Sequence, residues 1–240
     1  MNNPVSENIE IVRQKIAEAA RRAGRQPGEI TLVAVSKTVS AELVRAAFDA
    51  GVSDFGENRI QEAQAKIKAL GQDGLRENVR WHFIGHLQTN KAGAAIGMGF
   101  ELIHAIDSIK LLGVLEEQAR KQAKKQRALV EVKLSPEPSK HGVSEEGLME
   151  ILAASERAGQ KQKQKHISIE GLMGMPPWSA RGEDSRPYFA RLRALKEKAE
   201  KAGFHLPRLS MGMTNDFEVA IEEGATLVRV GTAIFGSRTK

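Results

Sequence analysis

A lysine follows an apolar run: Ile30-Thr-Leu-Val-Ala-Val35 passes through Ser36 straight to Lys37 and Thr38. An ammonium group sits badly at the end of a strand that reads as buried, unless something there needs an amine, and the chemistry of an amine is addition to a carbonyl. The competing reading is a lysine at a solvent-facing mouth, its stem packed and its charge in water. Two stretches late in the chain suit an oxyanion. Thr214 stands at an expected helix start, where backbone N–H groups and a hydroxyl converge, and Gly231-Thr232 offers the same with a glycine that permits close backbone approach. Taken singly, Thr214 is as well explained as a helix cap and Gly231 as a turn. Arg229 lies two residues before Gly231, so strand alternation puts the two on one side.

These residues need elements to bring them together. Short apolar runs at Ile30–Val35, Val52–Phe55, Trp81–Ile84, Leu102–Ile106, Ala128–Leu134, Ile167–Leu172, Arg208–Met211 and Thr226–Val230 read as eight strands. Helical patterns separate them at Ala41–Ala50, Arg59–Leu70, Gln88–Gly97, Ser108–Gln126, Glu145–Arg157, Asp184–Ala202 and Asp216–Glu223. The opening segment, Val5–Ala23, carries Val5, Ile9, Val12 and Ile16 on one stripe and ends at Gly24 and Pro27. Strict alternation calls for parallel strands with right-handed crossovers, and eight units of about 30 residues fit a single (β/α)8 TIM barrel. The expected organisation is one domain over residues 1–240, with 1–26 as an N-terminal helix packing on the barrel and a short turn around Ala233–Phe235 completing the helical ring. An open doubly wound sheet is the rival, but no glycine-rich turn follows the first strand.

The composition excludes several classes. With no cysteine among 240 residues there is no disulfide framework, thiolate metal site or cysteine nucleophile, which fits a reducing compartment. The N-terminus lacks the order of a signal peptide and no stretch is apolar enough to span a bilayer, so a cytoplasmic protein with no membrane partner is expected. The formal charge of +6 raises a nucleic-acid reading. Much of the excess falls in Arg120, Lys121, Lys124, Lys125 and Arg127, expected to close a helix, and in the polar run Gln160–Lys165, expected to be a solvated connector. Aromatics are only 5% of the chain, too few for base-stacking platforms, so no nucleic-acid partner is expected. The absence of heptads points to a monomer.

On a barrel, the ends of the strands share one face, and a phosphate often binds after strands seven and eight. That puts Lys37 on one side of the mouth and the Thr214/Gly231/Thr232 cradle on the other, the arrangement pyridoxal 5'-phosphate requires. Its aldehyde condenses with the lysine as a Schiff base while its phosphate anchors the far end. Arg229 then faces the pyridine nitrogen, where a cation disfavours protonation and weakens the ring as an electron sink; its alternative is an ion pair with a loop carboxylate. His82, His86 and Asp107 are placed at the same mouth, with no metal site expected from them.

The chain resembles the pyridoxal-phosphate homeostasis (YggS/PROSC) family. The resemblance rests on Ala34-Val-Ser-Lys37-Thr, Phe55-Gly-Glu-Asn58, Trp81-His-Phe-Ile-Gly85 with Leu87-Gln88 and Asn90-Lys91, and Asp107-Ser108. It continues through Ser139-Lys-His-Gly142, Gly171-Leu-Met, Leu209-Ser-Met-Gly-Met-Thr214 and Val228-Arg-Val-Gly-Thr-Ala-Ile-Phe-Gly236. It implies a barrel like the N-terminal domain of alanine racemase, with Lys37 forming the Schiff base and Asn58 beside the cofactor. It also implies Arg229 at the pyridine nitrogen and Thr214, Gly231 and Thr232 on the phosphate, with Ser210 as a weaker candidate. Arg59 stands where the family often has an aromatic residue, Val39-Ser40 lacks a frequent proline, and Thr214 replaces a common serine while keeping its hydroxyl.

The function this implies is a carrier or regulator of the cofactor in vitamin B6 homeostasis, with apo pyridoxal-phosphate enzymes as recipients and negligible turnover. The alternative is an amino-acid racemase. Racemisation needs a second acid/base opposite the lysine. In the racemases that resemblance points to, this is a tyrosine of a separate C-terminal domain, whereas the one tyrosine here, Tyr188, precedes a helix expected outside the barrel and the chain ends soon after its eighth strand.

Overall fold

Eight stretches of β-branched and aliphatic residues form the staves of a closed parallel barrel in the computed structural model, which describes residues 4–71, 78–135, 137, 141–162 and 165–236. The strands are β1 Thr31–Val35, β2 Asp54–Glu57, β3 Arg80–Phe83, β4 Leu102–Ile106, β5 Gln126–Val132, β6 Ile167–Gly174, β7 Arg208–Ser210 and β8 Leu227–Val230. Their neighbours run in chain order, and β8 closes onto β1 with Val33 opposite Arg229. The helices are α1 Pro4–Arg22, α2 Ala41–Asp49, α3 Ile60–Gly71, α4 Ala92–Met98, α5 Ile109–Lys121, α6 Glu145–Gln162, α7 Arg186–Lys201, α8 Phe217–Glu222 and α9 Thr232–Phe235. α1 buries Val5, Ile9, Val12, Ile16, Ala19 and Ala20, as its stripe requires, and lies along α8, α9 and α2. Among the described residues, no helix is long and apolar enough to cross a membrane.

Two cores result. The larger fills the space between strands and helices, while Val33, Leu102, Leu129, Met173 and Leu227 fill the barrel interior. Parallel barrels are usually plugged by branched apolar side chains. Here the same inward registers also carry Asp54, His82, His104, Glu131, Ser210 and Arg229, all buried.

Several boundaries differ from the pattern reading. β2 begins at Asp54 rather than Val52 because Asp54 is held by Arg80 of β3, satisfying a carboxylate that would otherwise argue against a strand. α5 stops at Lys121, and Ala123 takes φ 51° before β5 begins at Gln126. Only Arg120 and Lys121 of the basic stretch therefore lie in the last turn of that helix. Lys124 donates to the carbonyl of Gly97 (2.7 Å), and Arg127 pairs with Glu101 on the β4 side. Residues 160–162 continue α6, Lys165 pairs with Glu156 at 2.8 Å, and residues 163–164 lie outside the described residues, as do Ser139 and Lys140 of the Ser139–Gly142 motif.

Candidate functional site

Lys37 is the second residue past β1, half-buried, and the backbone on both sides of it is clamped. The Ser36 hydroxyl donates to Glu57 Oε1 (2.7 Å), and Lys66 of α3 bridges Glu57 (2.7 Å), Glu62 (2.8 Å) and the Ser36 carbonyl. The Thr38 backbone N–H donates to Glu62. Thr38 has φ 63°, a left-handed conformation costly for a β-branched residue, which persists because this network over-determines it. Burial pushes the Glu57 carboxyl up against the pull of Lys66 and Ser36. Strand register aligns Lys37 with Asn58, since Val35 pairs with Gly56 and each residue lies two positions further along. Gly85 packs so close to Asn58 that an added Cβ would meet the Asn58 carbonyl oxygen at 2.4 Å, so glycine is required there.

Lys37 opens onto a cavity of about 200 Å³ whose lining includes Val35, Arg229, Thr214, Gly231 and Thr232. Its outer wall comes from the β6–α7 loop, with Pro176, Pro177, the exposed Trp178 and Arg181. The cavity thus gathers three cations against one lining carboxylate. That carboxylate, Asp216, holds the loop: its Oδ1 accepts from Met213 N–H (2.6 Å) and its Oδ2 from the Ser185 hydroxyl (3.1 Å). Thr214 is not a helix cap. α8 begins at Phe217 with Asp216 in the cap position, leaving Thr214 in the preceding turn and directed to the cavity. Gly212 makes that turn, with φ 88° and Ala220 only 2.5 Å from where a Cβ would stand. At Gly231 a Cβ would meet Val35 at 3.3 Å, so glycine keeps this edge of the cavity open.

Below the cavity lies a buried polar chain that the pattern reading missed. Arg229 donates to Ser210 Oγ (2.5 Å) and to the Gly174 carbonyl (3.3 Å). Ser210 contacts His104 Nδ1 (2.9 Å), His104 Nε2 meets His82 Nδ1 (3.1 Å), and His82 Nε2 meets Asp54 Oδ1 (3.0 Å), with Arg80 on the far side of Asp54 at 2.6 and 2.8 Å. Burial, then the charges of His82, Arg229 and Arg208, hold His104 well below the ordinary imidazole range, so it is neutral. Burial opposes ionisation of Asp54, but the hydrogen bonds from His82 and Arg80 outweigh it and bring its pKa to about 2. A carboxylate only accepts, so His82 Nε2–H donates to Asp54. Neutral His104 donates through one ring nitrogen and accepts through the other, so it links His82 to Ser210, and a Ser210 lone pair receives Arg229. Burial lowers Arg229 to about 10, with Glu131 and Asp216 opposing, so it remains a cation at neutral pH.

The expected site residues thus fall into three groups. Lys37, Thr214, Arg229, Gly231 and Thr232 line one cavity. Asn58 follows the neighbouring strand β2 at the height of Lys37 without joining that lining. Ser210 is fully buried beneath Arg229, bonded to Arg229 and His104. His82, placed at the mouth by the pattern reading, lies inside the barrel because it alternates inward with Gly56 opposite, whereas His86 and Asp107 do sit at the strand ends, 3.0 Å apart. Lys66, Glu62, His104 and Arg181 carried no motif: their roles depend on contacts across 22 to 106 residues or on a loop path.

A parallel barrel with a lysine past β1 that shares a cavity with Thr214 after β7 and Gly231 and Thr232 after β8 defines the class, and the family described as alanine racemase, N-terminal domain, matches residues 8–239. Within that class the chain belongs to the pyridoxal phosphate homeostasis proteins. A relative of that name from Aquifex aeolicus is 40% identical over 233 residues, covering 97% of each chain. PipY of Synechococcus elongatus PCC7942, solved with PLP bound, is 32% identical with a TM-score of 0.80, covering 97% of this chain and all of that one. An alanine racemase of Clostridium difficile shares the fold alone, at 15% identity and a TM-score of 0.70, with 98% of this chain matching 58% of that one.

Proposed function

We propose that this protein holds pyridoxal 5'-phosphate on Lys37 and serves vitamin B6 homeostasis as a cytosolic, monomeric carrier that passes the cofactor to apo-enzymes, without sustained turnover. The observation that carries the proposal is the single cavity onto which an amine, a cation and two hydroxyl-bearing cradle loops converge. The residues fit the group. Lys37 would supply the amine on the β1 side, Thr214, Gly231 and Thr232 would hold the phosphate on the other, and Gly231 keeps the edge clear. When bound, the cofactor supplies an aldehyde that condenses reversibly with a primary amine. The Glu57–Lys66–Glu62 network orients the Lys37 backbone, and the Ser210–His104–His82–Asp54 chain holds Arg229 as a fixed cation in the cavity, where it would meet the pyridine nitrogen of the bound cofactor.

Three features favour a carrier over a racemase. Arg229 stays charged and disfavours protonation of the pyridine nitrogen. Among the described residues lining the cavity there is no tyrosine or histidine to act opposite Lys37, and Tyr188 on α7 packs against the core outside the barrel. Asp216 is committed to the Met213–Asp216 turn. The nucleic-acid alternative loses support as well, since Arg120 and Lys121 pair with Glu117 and Arg127 with Glu101.

Loading the purified chain with pyridoxal phosphate and mixing it with an apo-enzyme tests this. The carrier reading expects activation of the apo-enzyme and no racemisation of single-enantiomer amino acids. Sustained racemisation, or loaded protein that fails to activate the acceptor, contradicts it.

A further inference from the structure

Across the mouth from that cavity, the loops after β3, β4 and β5 bring together His86, Asp107 and His141, with one donor atom of each lying within 4.8 Å of the others. We propose that these three residues form a binding site for a divalent transition-metal ion. Two imidazoles and a carboxylate are the donor set of borderline ions such as Zn(II), Co(II), Ni(II) and Cu(II), and three protein ligands leave further coordination positions open to exchangeable molecules.

The geometry supports chelation. His86 Nδ1 and Asp107 Oδ2 are 3.0 Å apart, a separation that subtends roughly a right angle at an ion about 2.1 Å from each. The His86 and His141 rings stack with centroids 3.9 Å apart and planes 13° from parallel, one ring nitrogen of each lies within 4.8 Å of the other, and a χ2 rotation of these exposed rings turns both in-plane lone pairs toward one ion. His86 and His141 are exposed and Asp107 is half-buried, so an ion has direct access.

Contacts hold the backbone next to His86 and Asp107 and two residues past His141. Gly85 is locked against Asn58, fixing the chain before His86. Asp107 immediately precedes Ser108, which caps α5 by accepting from Leu111 N–H (3.2 Å). Past His141, Val143 N–H donates to the Glu131 carbonyl and Lys133 N–H to the Val143 carbonyl, both 2.9 Å, and Gly142 takes φ 113°. A set of ligands held by its supporting contacts binds with less reorganisation than one on mobile loops. The site draws on none of the cofactor-cavity residues, so it stands independently of the cofactor proposal.

The test is titration of untagged, cofactor-free protein with Co(II) in phosphate-free buffer. One equivalent should produce ligand-field absorption that excess Zn(II) bleaches. His141→Ala and Asp107→Asn should each weaken binding about tenfold or more with an unchanged melting temperature, and His205→Ala, an exposed histidine away from the cluster, should bind as wild type. Absence of saturable binding at micromolar ion, or equal affinity in all the variants, overturns the proposal.

Discussion

Each lining residue of the cavity has a role that one substitution separates from the rest. If Thr214 holds a phosphate oxygen through its hydroxyl, Thr214→Ala removes a charge-assisted hydrogen bond of about 1.5–3 kcal/mol, roughly a ten- to hundredfold loss of affinity. The loss should appear for pyridoxal phosphate and not for unphosphorylated pyridoxal, measured side by side by fluorescence titration. Trp178 on the cavity wall is a convenient reporter. Equal losses would remove the phosphate role. Ser210 is different in kind, because it is buried and touches Arg229 and His104 rather than the cavity. Ser210→Ala strands the Arg229 Nη1 and His104 Nδ1 bonds together, so it should destabilise the fold by about 1–3 kcal/mol in chemical denaturation. A neutral result would mean that Arg229 is held by other contacts.

At the scale of elements, each strand end presents what the site needs because side chains alternate along a strand and adjacent parallel strands stay in register. The alternation of apolar runs and helical patterns made the eight-strand barrel legible in the sequence, and Lys37, Arg229, Thr214 and Gly231 followed from their places at strand ends. The polar interior was not legible in the same way. His82 and His104 sit in apolar runs, and nothing local distinguishes a histidine at a barrel mouth from one whose two nitrogens meet partners 22 and 106 residues away. The Glu57–Lys66–Glu62 clamp was hidden for a related reason, since a lysine on a helix reads as solvated until the strand it folds over is known. The end of the polar chain at Asp54 carries a pH signature. Its pKa falls from 3.8 to about 2 on folding, so its contribution, at most about 2 kcal/mol, is complete above pH 3.8 and is lost as the pH falls through about 2. Denaturation at stepped pH should therefore show a steep loss of stability between pH 4 and pH 2 that Asp54→Asn flattens; parallel curves would place the acid sensitivity elsewhere.

At the scale of the whole molecule, one barrel joins an amine just past its first strand to the proposed phosphate cradle after its last two, and β8 closing on β1 makes those distant segments neighbours. The buried chain below fixes the cation between them, while the described residues lining the cavity include no tyrosine or histidine and its carboxylate, Asp216, is held in its own turn. That combination suits holding an aldehyde cofactor reversibly more than transforming a substrate with it. The most direct test of the central claim is the absorption spectrum of the purified chain with added pyridoxal phosphate, followed by borohydride reduction and peptide mapping. The expected result is a near-visible band that reduction abolishes, a reduced adduct on the peptide carrying Lys37, and no such band in Lys37→Ala. A Lys37→Ala protein that keeps the band, or an adduct mapped to another lysine, would contradict it.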